Sequence, residues 1–253
     1  MATTSTPDSQ ERKKSLLSLL KRENVIRLAE AATSLDVSTM TVRRDLEELE
    51  EEGLLRRVRG GAVSVIGPRP FTERRAVRLR AKELIAEKAK AFVPRFGSIA
   101  LDASTTVGIL GMNLGPRSGL IVATNSYPSF AATKGTPGVN AILIGGEPDE
   151  ATDSLVGPIA NRAAESLRYT RFFSSASAID STFGTSEVSL REAETKRAFF
   201  RVSKELILCV DSSKLAQESI AAGFALAEAS VLITELDPAD SRLDEFRDII
   251  ELR

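Results

Sequence analysis

The chain has 253 residues, with 34 Lys and Arg against 35 Asp and Glu, one cysteine, and neither histidine nor tryptophan. Without histidine there is no Ser-His-Asp or Cys-His catalysis, no HExxH zinc site and no Cys2His2 finger, and a lone cysteine makes no intramolecular disulfide or thiolate cluster. A formal charge of −1 gives no bulk sign of a polyanionic partner, and 42% hydrophobic with 27% charged residues is the composition of an ordinary soluble globular chain. The polar start, Met1 to Lys14, has no apolar signal core, and the least charged stretch, Gly97 to Pro116, is interrupted by Asp102, Asn113 and glycines. A cytoplasmic protein with no membrane partner is expected.

The charge is unevenly placed. From Arg56 to Lys90 there are eleven basic and three acidic residues, a net +8, so the remainder carries −9. Gly67-Pro68-Arg69-Pro70 lies within this segment, and its prolines favour an extended linker that no helix crosses. The expected organisation is a reading domain over 1–66, a linker and connecting helix over 67–92, and a second domain over 93–253.

In chain order, Ser9 to Arg22 predicts a first helix with Leu16, Leu17, Leu19 and Leu20 on its apolar face. A second helix covers about Arg27 to Ser34, and Leu35-Asp36-Val37 makes a turn. Ser38 stands where an N-cap belongs, and a third helix runs to about Glu52, with Gly53 as its C′ residue. At about 100° per residue, Val42, Leu46 and Leu49 form a narrow core stripe. The exposed first half of the helix carries Met40, Thr41, Arg43 and Arg44 and the second half is acidic; Ser38 and Thr39 at the helix start are expected to contact DNA beside them. A recognition helix contacts bases with its N-terminal residues, and Arg is the commonest reader of guanine. A solvated face with Arg43–Glu47 and Arg44–Glu48 pairs would show the same pattern. The next residues, Leu54 to Val58 and Ala62 to Val65, are strand-like and joined through Arg59-Gly60-Gly61. A basic hairpin after a helix-turn-helix is a wing, with Arg56, Arg57, Arg59 and the Gly60 backbone placed for phosphates or the adjacent minor groove.

Thr72 to Phe92 predicts one basic amphipathic helix, placed to couple the two domains or to contact phosphate. Beyond it, short apolar runs recur at Ile99–Leu101, Leu120–Ala123, Ala141–Ile144, Phe172–Ala176, Leu206–Val210 and Val231–Thr234. Continuous apolar strands alternating with helices predict an α/β domain whose parallel sheet is covered on both faces. Ligands of such sheets bind at the carboxyl ends of the strands. The residues expected there are Ser104, Thr105 and Thr106 as anion donors at a helix start, Lys214 as a cation, Gly145 and Gly146 as approachable amides, and Asp102 and Asn125 as hydroxyl binders. That set suits a small phosphorylated sugar or polyol, although Asn, Gly and Asp also make ordinary turns after strands. Cys209, inside an apolar strand, predicts a buried structural thiol.

Leu28-Ala29-Glu30, Val37-Ser38, Thr41-Val42-Arg43-Arg44-Asp45-Leu46, Leu49-Glu50, Gly53-Leu54-Leu55-Arg56 and Arg59-Gly60-Gly61-Ala62 closely resemble the DNA-binding signature of DeoR-type bacterial transcriptional regulators. Arg59 stands where that family usually has histidine. Asp102-Ala103-Ser104-Thr105-Thr106, Thr124-Asn125-Ser126, Gly145-Gly146, Ser154 to Gly157, Glu192 to Lys196 and Asp211 to Lys214 resemble the effector domain of the same family, which is similar in fold to ribose-5-phosphate isomerase. Ser104 replaces a frequent glycine, and Ser174 to Ala178 is richer in serine than the family pattern. The resemblance implies a winged helix-turn-helix joined to an α/β sensor, a double-stranded DNA operator, a phosphorylated sugar effector, a homo-oligomer (dimer or tetramer), and Lys196 as an effector-site residue. No catalytic residue, metal or cofactor is expected. The alternative is an active sugar-phosphate isomerase carrying a DNA-binding domain. Such an enzyme needs a carboxylate base, for which Asp180 is the candidate, but its paired acids and Lys-Gly-rich loop are not visible.

Overall fold

A computed structural model describes residues 9–23, 25–63, 71–150 and 152–253. The chain divides into two compact units, Met1–Pro68 and Arg69–Arg253. The Gly67–Pro70 linker and the end of the second wing strand, Ser64 and Val65, lie outside the described residues.

In the first unit, α1 (Ser9–Glu23) is followed by β1 (Val25–Arg27), α2 (Leu28–Ser34), α3 (Thr39–Glu51), β2 (Arg56–Val58) and β3 (Gly61–Val63). Leu16 and Leu20 of α1, Ala31 and Ala32 of α2, and Val42, Leu46 and Leu49 of α3 converge with Ile26, Leu55 and Ala62 in one core. Ser38 caps α3, its Oγ accepting from the Thr41 N–H at 3.1 Å. Gly53 follows the helix at φ +80°, a left-handed conformation that glycine adopts without a steric penalty. Strands β2 and β3 pair antiparallel, Arg56 opposite Val63 and Val58 opposite Gly61. The sequence pattern did not show β1, three residues that pair antiparallel with β3 and make the wing a three-stranded sheet of order β1-β3-β2.

The second unit begins with a departure from expectation. The single helix predicted over Thr72–Phe92 is two helices, α4 (Phe71–Ala76) and α5 (Leu79–Ala89), followed by a 3-10 turn at Lys90–Phe92. The break falls at Arg78, whose backbone is left-handed at φ +52° and ψ +38°. That conformation costs a non-glycine residue roughly 1–2 kcal/mol. Its guanidinium is held by three groups far along the chain. Nε lies 3.1 Å from Asp211, and Nη2 donates to Ser212 Oγ at 2.8 Å and Glu235 at 2.5 Å.

There follow β4 (Gly97–Leu101), α6 (Thr105–Met112), β5 (Leu120–Thr124), α7 (Tyr127–Thr133), β6 (Val139–Leu143), β7 (Glu147–Asp149), β8 (Ser154–Val156), α8 (Pro158–Glu165), β9 (Tyr169–Ser174), β10 (Ala178–Asp180), β11 (Gly184–Glu187), α9 (Leu190–Arg201), β12 (Ser203–Cys209), β13 (Ala221–Ala222), β14 (Val231–Ile233) and β15 (Glu251–Leu252). Each of the six predicted apolar runs contributes a strand to one seven-stranded sheet, of order β15-β14-β12-β9-β4-β5-β6, in which every pairing is parallel. Side chains alternate between two cores along each strand. Ala100, Phe172, Leu206 and Leu208 pack with Ala160 and Ala164 of α8 and Ala198 and Phe199 of α9. Ile99, Leu101, Phe173, Ile207 and Cys209 pack with Ile85, Ala86 and Ala89 of α5 and Val107 and Leu110 of α6. Both faces are therefore buried, which is why the strands read as continuous apolar runs. Burial pushes the Cys209 thiol pKa up, as befits an inert core residue. Two smaller antiparallel groups, β7-β8 and β10-β11-β13, lie outside the main sheet. Among the described residues, no helix is long and apolar enough to cross a membrane, and no three or more His, Cys, Asp or Glu side chains group as a metal site.

Candidate functional site

On α3 the outer face carries Thr39, Met40, Arg43 and Arg44, all exposed, with Met40 at 67%, while Thr41 is half-buried. The acidic second half of the helix is committed elsewhere. Glu50 accepts from Arg57 Nε at 2.8 Å and from its backbone N–H at 2.7 Å, and Glu47 pairs with the same guanidinium. Glu48 pairs with Lys13 of α1 at 2.5 Å, and Glu52 lies 3.6 Å from that ammonium. The hydrogen bond from Lys13 holds the Glu48 carboxyl below its ordinary pKa. The alternative Arg43–Glu47 and Arg44–Glu48 pairs are thus not formed among the described residues. The second half of the helix anchors the fold, and its first half presents two arginines outward.

The wing residues divide in the same way. Arg56, Arg59 and Gly60 are exposed. Arg57, expected to reach phosphate, is turned back onto α3 by Glu47 and Glu50 and fastens the wing to the helix. Gly60 occupies the two-residue hairpin turn at φ +91°, and its carbonyl accepts from the Leu28 N–H at 2.9 Å.

In the second unit, parallel strands bring their carboxyl ends to one edge of the sheet. That edge collects Asp102 to Thr106 after β4, Asn125 after β5, Gly145 and Gly146 after β6, Ser175 after β9 and Asp211 to Lys214 after β12. Ser104 caps α6, its Oγ accepting from the Val107 N–H at 3.2 Å, with Thr105 and Thr106 buried in the first turn. Asn125 Nδ2 donates to the Leu155 carbonyl at 3.0 Å and ties β8 to β5. Asn125 Oδ1 and Ser129 Oγ are buried with no hydrogen-bond partner among the described residues. Gly145 faces open space, whereas a Cβ on Gly146 would come within 2.7 Å of the Val156 carbonyl oxygen and 2.8 Å of Ala160 Cβ. Close packing therefore accounts for the second glycine.

Two expected effector residues are placed differently. Asp102 is fully buried, and both its oxygens are occupied. Oδ1 accepts from the Ser104 N–H at 3.0 Å, and Oδ2 from Ser174 Oγ at 2.9 Å and the Ser175 N–H at 2.8 Å. Lys196, also buried, lies 3.2 Å from Asp102 Oδ2, bonds Glu187 at 2.6 Å and the Ser175 carbonyl at 2.9 Å, and stands 3.9 Å from Glu192. Asp102 and Lys196 thus lock β4, β9, β11 and α9 together at the strand ends. Three carboxylates share one ammonium. Burial raises the Glu192 pKa to about 7, Lys196 opposes the rise, and Glu187 and Asp102 add to it.

Sequence reasoning did not foresee the wall made by the connecting segment. Phe71 of α4 is buried, and its ring lies 3.8 Å from where a Cβ on Gly108 of α6 would stand. Arg74 sits 5.7 Å over that ring and donates to the Thr152 carbonyl between β7 and β8. Lys82 of α5 donates to the carbonyls of Arg74 and Val77 and caps the end of α4. The basic run was visible in the sequence. Its placement depends on Asp211, Ser212, Glu235 and Thr152, which no local pattern connects to it.

The helix-turn-helix signature over residues 12–66 matches the DeoR-like helix-turn-helix domain, and residues 77–236 match the DeoR C terminal sensor domain. A lactose phosphotransferase system repressor of Streptococcus mutans is 31% identical over 249 residues, spanning 95% of this chain and 98% of that protein. The HTH-type transcriptional regulator GolR of Listeria innocua is 31% identical over 228 residues, 89% of this chain and 90% of that one. Among solved structures, ribose 5 phosphate isomerase A of Neisseria gonorrhoeae overlaps 55% of this chain and 53% of its own, at 15% identity and a TM-score of 0.37. That overlap is too loose to bear on activity. The two family matches and the near-full-length relatives place this chain in the DeoR family of DNA-binding transcriptional regulators.

Proposed function

We propose that the chain is a repressor of sugar-metabolism genes that leaves its operator when a phosphorylated sugar fills the strand-end crevice. The observation that carries this reading is the division of labour on α3. Its acids are spent on Arg57 and Lys13, which leaves Arg43 and Arg44 outward at the half of the helix that enters a major groove. Ser38, Thr39, Met40, Thr41, Arg43 and Arg44 then read bases and neighbouring phosphates, and Arg56, Arg59 and the Gly60 backbone follow the DNA from the wing. Arg57 acts indirectly, by fixing the wing.

Thr105, Thr106, the α6 N-terminus, Asn125, Gly145 and Lys214 form the effector site. The buried, unpartnered Asn125 Oδ1 is suited to accept from a sugar hydroxyl. Asp102 and Lys196 shape the floor. Lactose phosphotransferase repressors among the relatives favour a sugar-derived effector. Residues 1–66 serve as reader, 67–92 as connector and 93–253 as sensor, in a cytoplasmic homo-oligomer whose half-site spacing matches its symmetry.

A regulator accounts for the crevice better than an isomerase does. Asp102 is enclosed, and Asp180 Oδ1 accepts from the Thr182 and Phe183 N–H groups at 2.8 and 2.9 Å, as a turn residue would. The test is to select genomic fragments with the full chain and titrate the complexes with a panel of sugar phosphates at fixed salt. Release by one ester, without its turnover, supports the proposal. Isomerisation of that ester at the same site overturns it.

A further inference from the structure

We propose that Arg78 is a positioning residue for the effector and the switch of the connecting segment. While its guanidinium is held, the turn after β12 is set for the ligand and α4 is broken from α5. When it is freed, α4 and α5 join into one helix. This rests on the effector reading above and adds the residue that couples the ligand to the chain following the linker.

The break has no local cause. Ala76-Val77-Arg78-Leu79-Arg80-Ala81-Lys82 contains neither glycine nor proline, and Ala, Leu, Arg and Lys are among the best helix formers. The local sequence therefore favours a helix running through Arg78. The backbone there is instead left-handed, at φ +52°, where a Cβ is disfavoured. Among the described residues, no backbone hydrogen bond joins the amides of 78–81 to the carbonyls of 74–77. Lys82 Nζ takes two of those carbonyls, Arg74 and Val77, in their place.

What holds the break comes from the strand-end turn. Arg78 Nη2 donates to Ser212 Oγ at 2.8 Å and to Glu235 at 2.5 Å. Nε lies 3.1 Å from Asp211 Oδ1 as an ion pair, although it is buried without a hydrogen bond among the described residues. The same two carboxylates build the turn. Asp211 Oδ1 accepts from the Ser213 N–H at 3.1 Å and its hydroxyl at 2.5 Å, and Glu235 accepts from the Ser212 N–H at 3.0 Å. Lys214 ends the turn, its N–H donating to the Asp211 carbonyl at 3.0 Å.

Two carboxylates thus converge on one guanidinium, and removing it leaves them to repel each other within the turn that carries Lys214. Arg78 preorganises that turn for a ligand's anion. Turning residue 78 right-handed re-aims its side chain, so helix continuity and the three contacts compete. By linkage, a ligand that needs the set turn favours the broken segment as strongly as the break favours the ligand. In the broken form Phe71 packs on α6 beside Gly108, and α4 is the first described element of the second unit.

The test uses the full-length chain as wild type, Arg78→Ala, Arg78→Gly and Lys214→Ala. Calorimetric titration with ribose 5-phosphate, glucose 6-phosphate and fructose 1,6-bisphosphate gives affinity, and hydrogen exchange at amides 78–81 reports the break. Both Arg78 variants lose the guanidinium, but alanine favours the right-handed backbone whereas glycine keeps φ +52° without steric cost. For the probe that binds the wild type, Arg78→Ala should lose about tenfold or more in affinity and Arg78→Gly distinctly less. Exchange should be slow in Arg78→Ala, fast in Arg78→Gly, and faster in wild type with the probe than without it. Lys214→Ala should lose affinity while its unliganded exchange matches wild type. Equal affinity in wild type and both Arg78 variants, or equal exchange in all of them, overturns the switch; a loss in Lys214→Ala within that series leaves the effector site standing. No binding of any probe to the wild type, or wild-type affinity in Lys214→Ala, overturns the effector reading and this inference with it.

Discussion

Arg12 of α1 and Asp45 of α3 form a two-pronged salt bridge, Nε to Oδ2 at 2.8 Å and Nη2 to Oδ1 at 3.0 Å, with both side chains buried. Asp45 belongs to the run Thr41–Leu46 that carries the family resemblance, yet it faces inward. It orients α3 against α1. Truncating Asp45 takes the two-pronged carboxylate away from the buried Arg12 guanidinium, and breaking a buried ion pair in this way costs about 3–5 kcal/mol. Asp45→Ala should therefore unfold the first unit under mild urea, lowering DNA binding at every sequence alike. The double variant Arg12→Met with Asp45→Leu should recover most of the lost stability, because it removes both charges. If Asp45→Ala melted like wild type and altered only sequence preference, Asp45 would be a base reader after all.

Arg44 gives the contrasting case. It is exposed on the outer face of α3 and has no ion pair among the described residues, so its replacement costs the fold little. Arg44→Ala should weaken operator binding by about 1–3 kcal/mol, while melting temperature, oligomer size and effector affinity remain unchanged. Fluorescence anisotropy against operator and scrambled duplexes at one salt concentration measures this. An equal loss on both duplexes would make Arg44 a phosphate contact instead.

The contrast between Asp45 and Arg44 marks how far the sequence reaches. Apolar periodicity located the strands of the large sheet and the Val42, Leu46, Leu49 stripe because burial on both faces, or on one narrow face, forces composition. Asp45 lies only about 60° from Val42 on the helical wheel, so its inward position was readable in principle. Its partner was not, because Arg12 lies on another helix. The same holds for Lys196 with Asp102 and Glu187, and for the break at Arg78, which is set by Asp211, Ser212 and Glu235. Short strands such as Gly184–Glu187 carry too little apolar character to register, and their order comes from partners elsewhere in the chain. The polar strand ends were visible in the sequence. Which of them are held in internal pairs, as Asp102 and Asp211 are, depends on those distant pairings.

The wing offers a test of backbone packing. A Cβ on Gly61 would stand 1.8 Å from the Ile26 carbonyl oxygen, on the backbone of β1. Gly61→Ala must therefore part β1 from β3, at about 2 kcal/mol or more. Gly60 has nothing within 4 Å of that position, and Gly60→Ala meets only the strain of φ +91°, roughly 1–2 kcal/mol. Gly61→Ala should lower the melting temperature of the first unit more than Gly60→Ala does. The reverse order would mean that the close β1–β3 approach is not what fixes the wing.

Glu192 makes the sensor's stability depend on pH in a direction that can be worked out. Its folded pKa is raised to about 7 from an ordinary 4.5, first by burial, with Lys196 opposing and Glu187 and Asp102 reinforcing. Between pH 4.5 and 7 the folded chain keeps a proton that the unfolded chain has released. Stability therefore falls as pH rises through that window and levels off above it. Glu192→Gln cannot ionise, so its stability relative to wild type should be smallest near pH 4.5, grow by about 1–3 kcal/mol up to pH 7, and then stay level. Urea melts of both proteins at matched ionic strength give the difference curve. A curve of the opposite sign, with wild type gaining on Glu192→Gln as pH rises, would mean that the attraction of Lys196 outweighs burial and that the ionised carboxylate supports the fold.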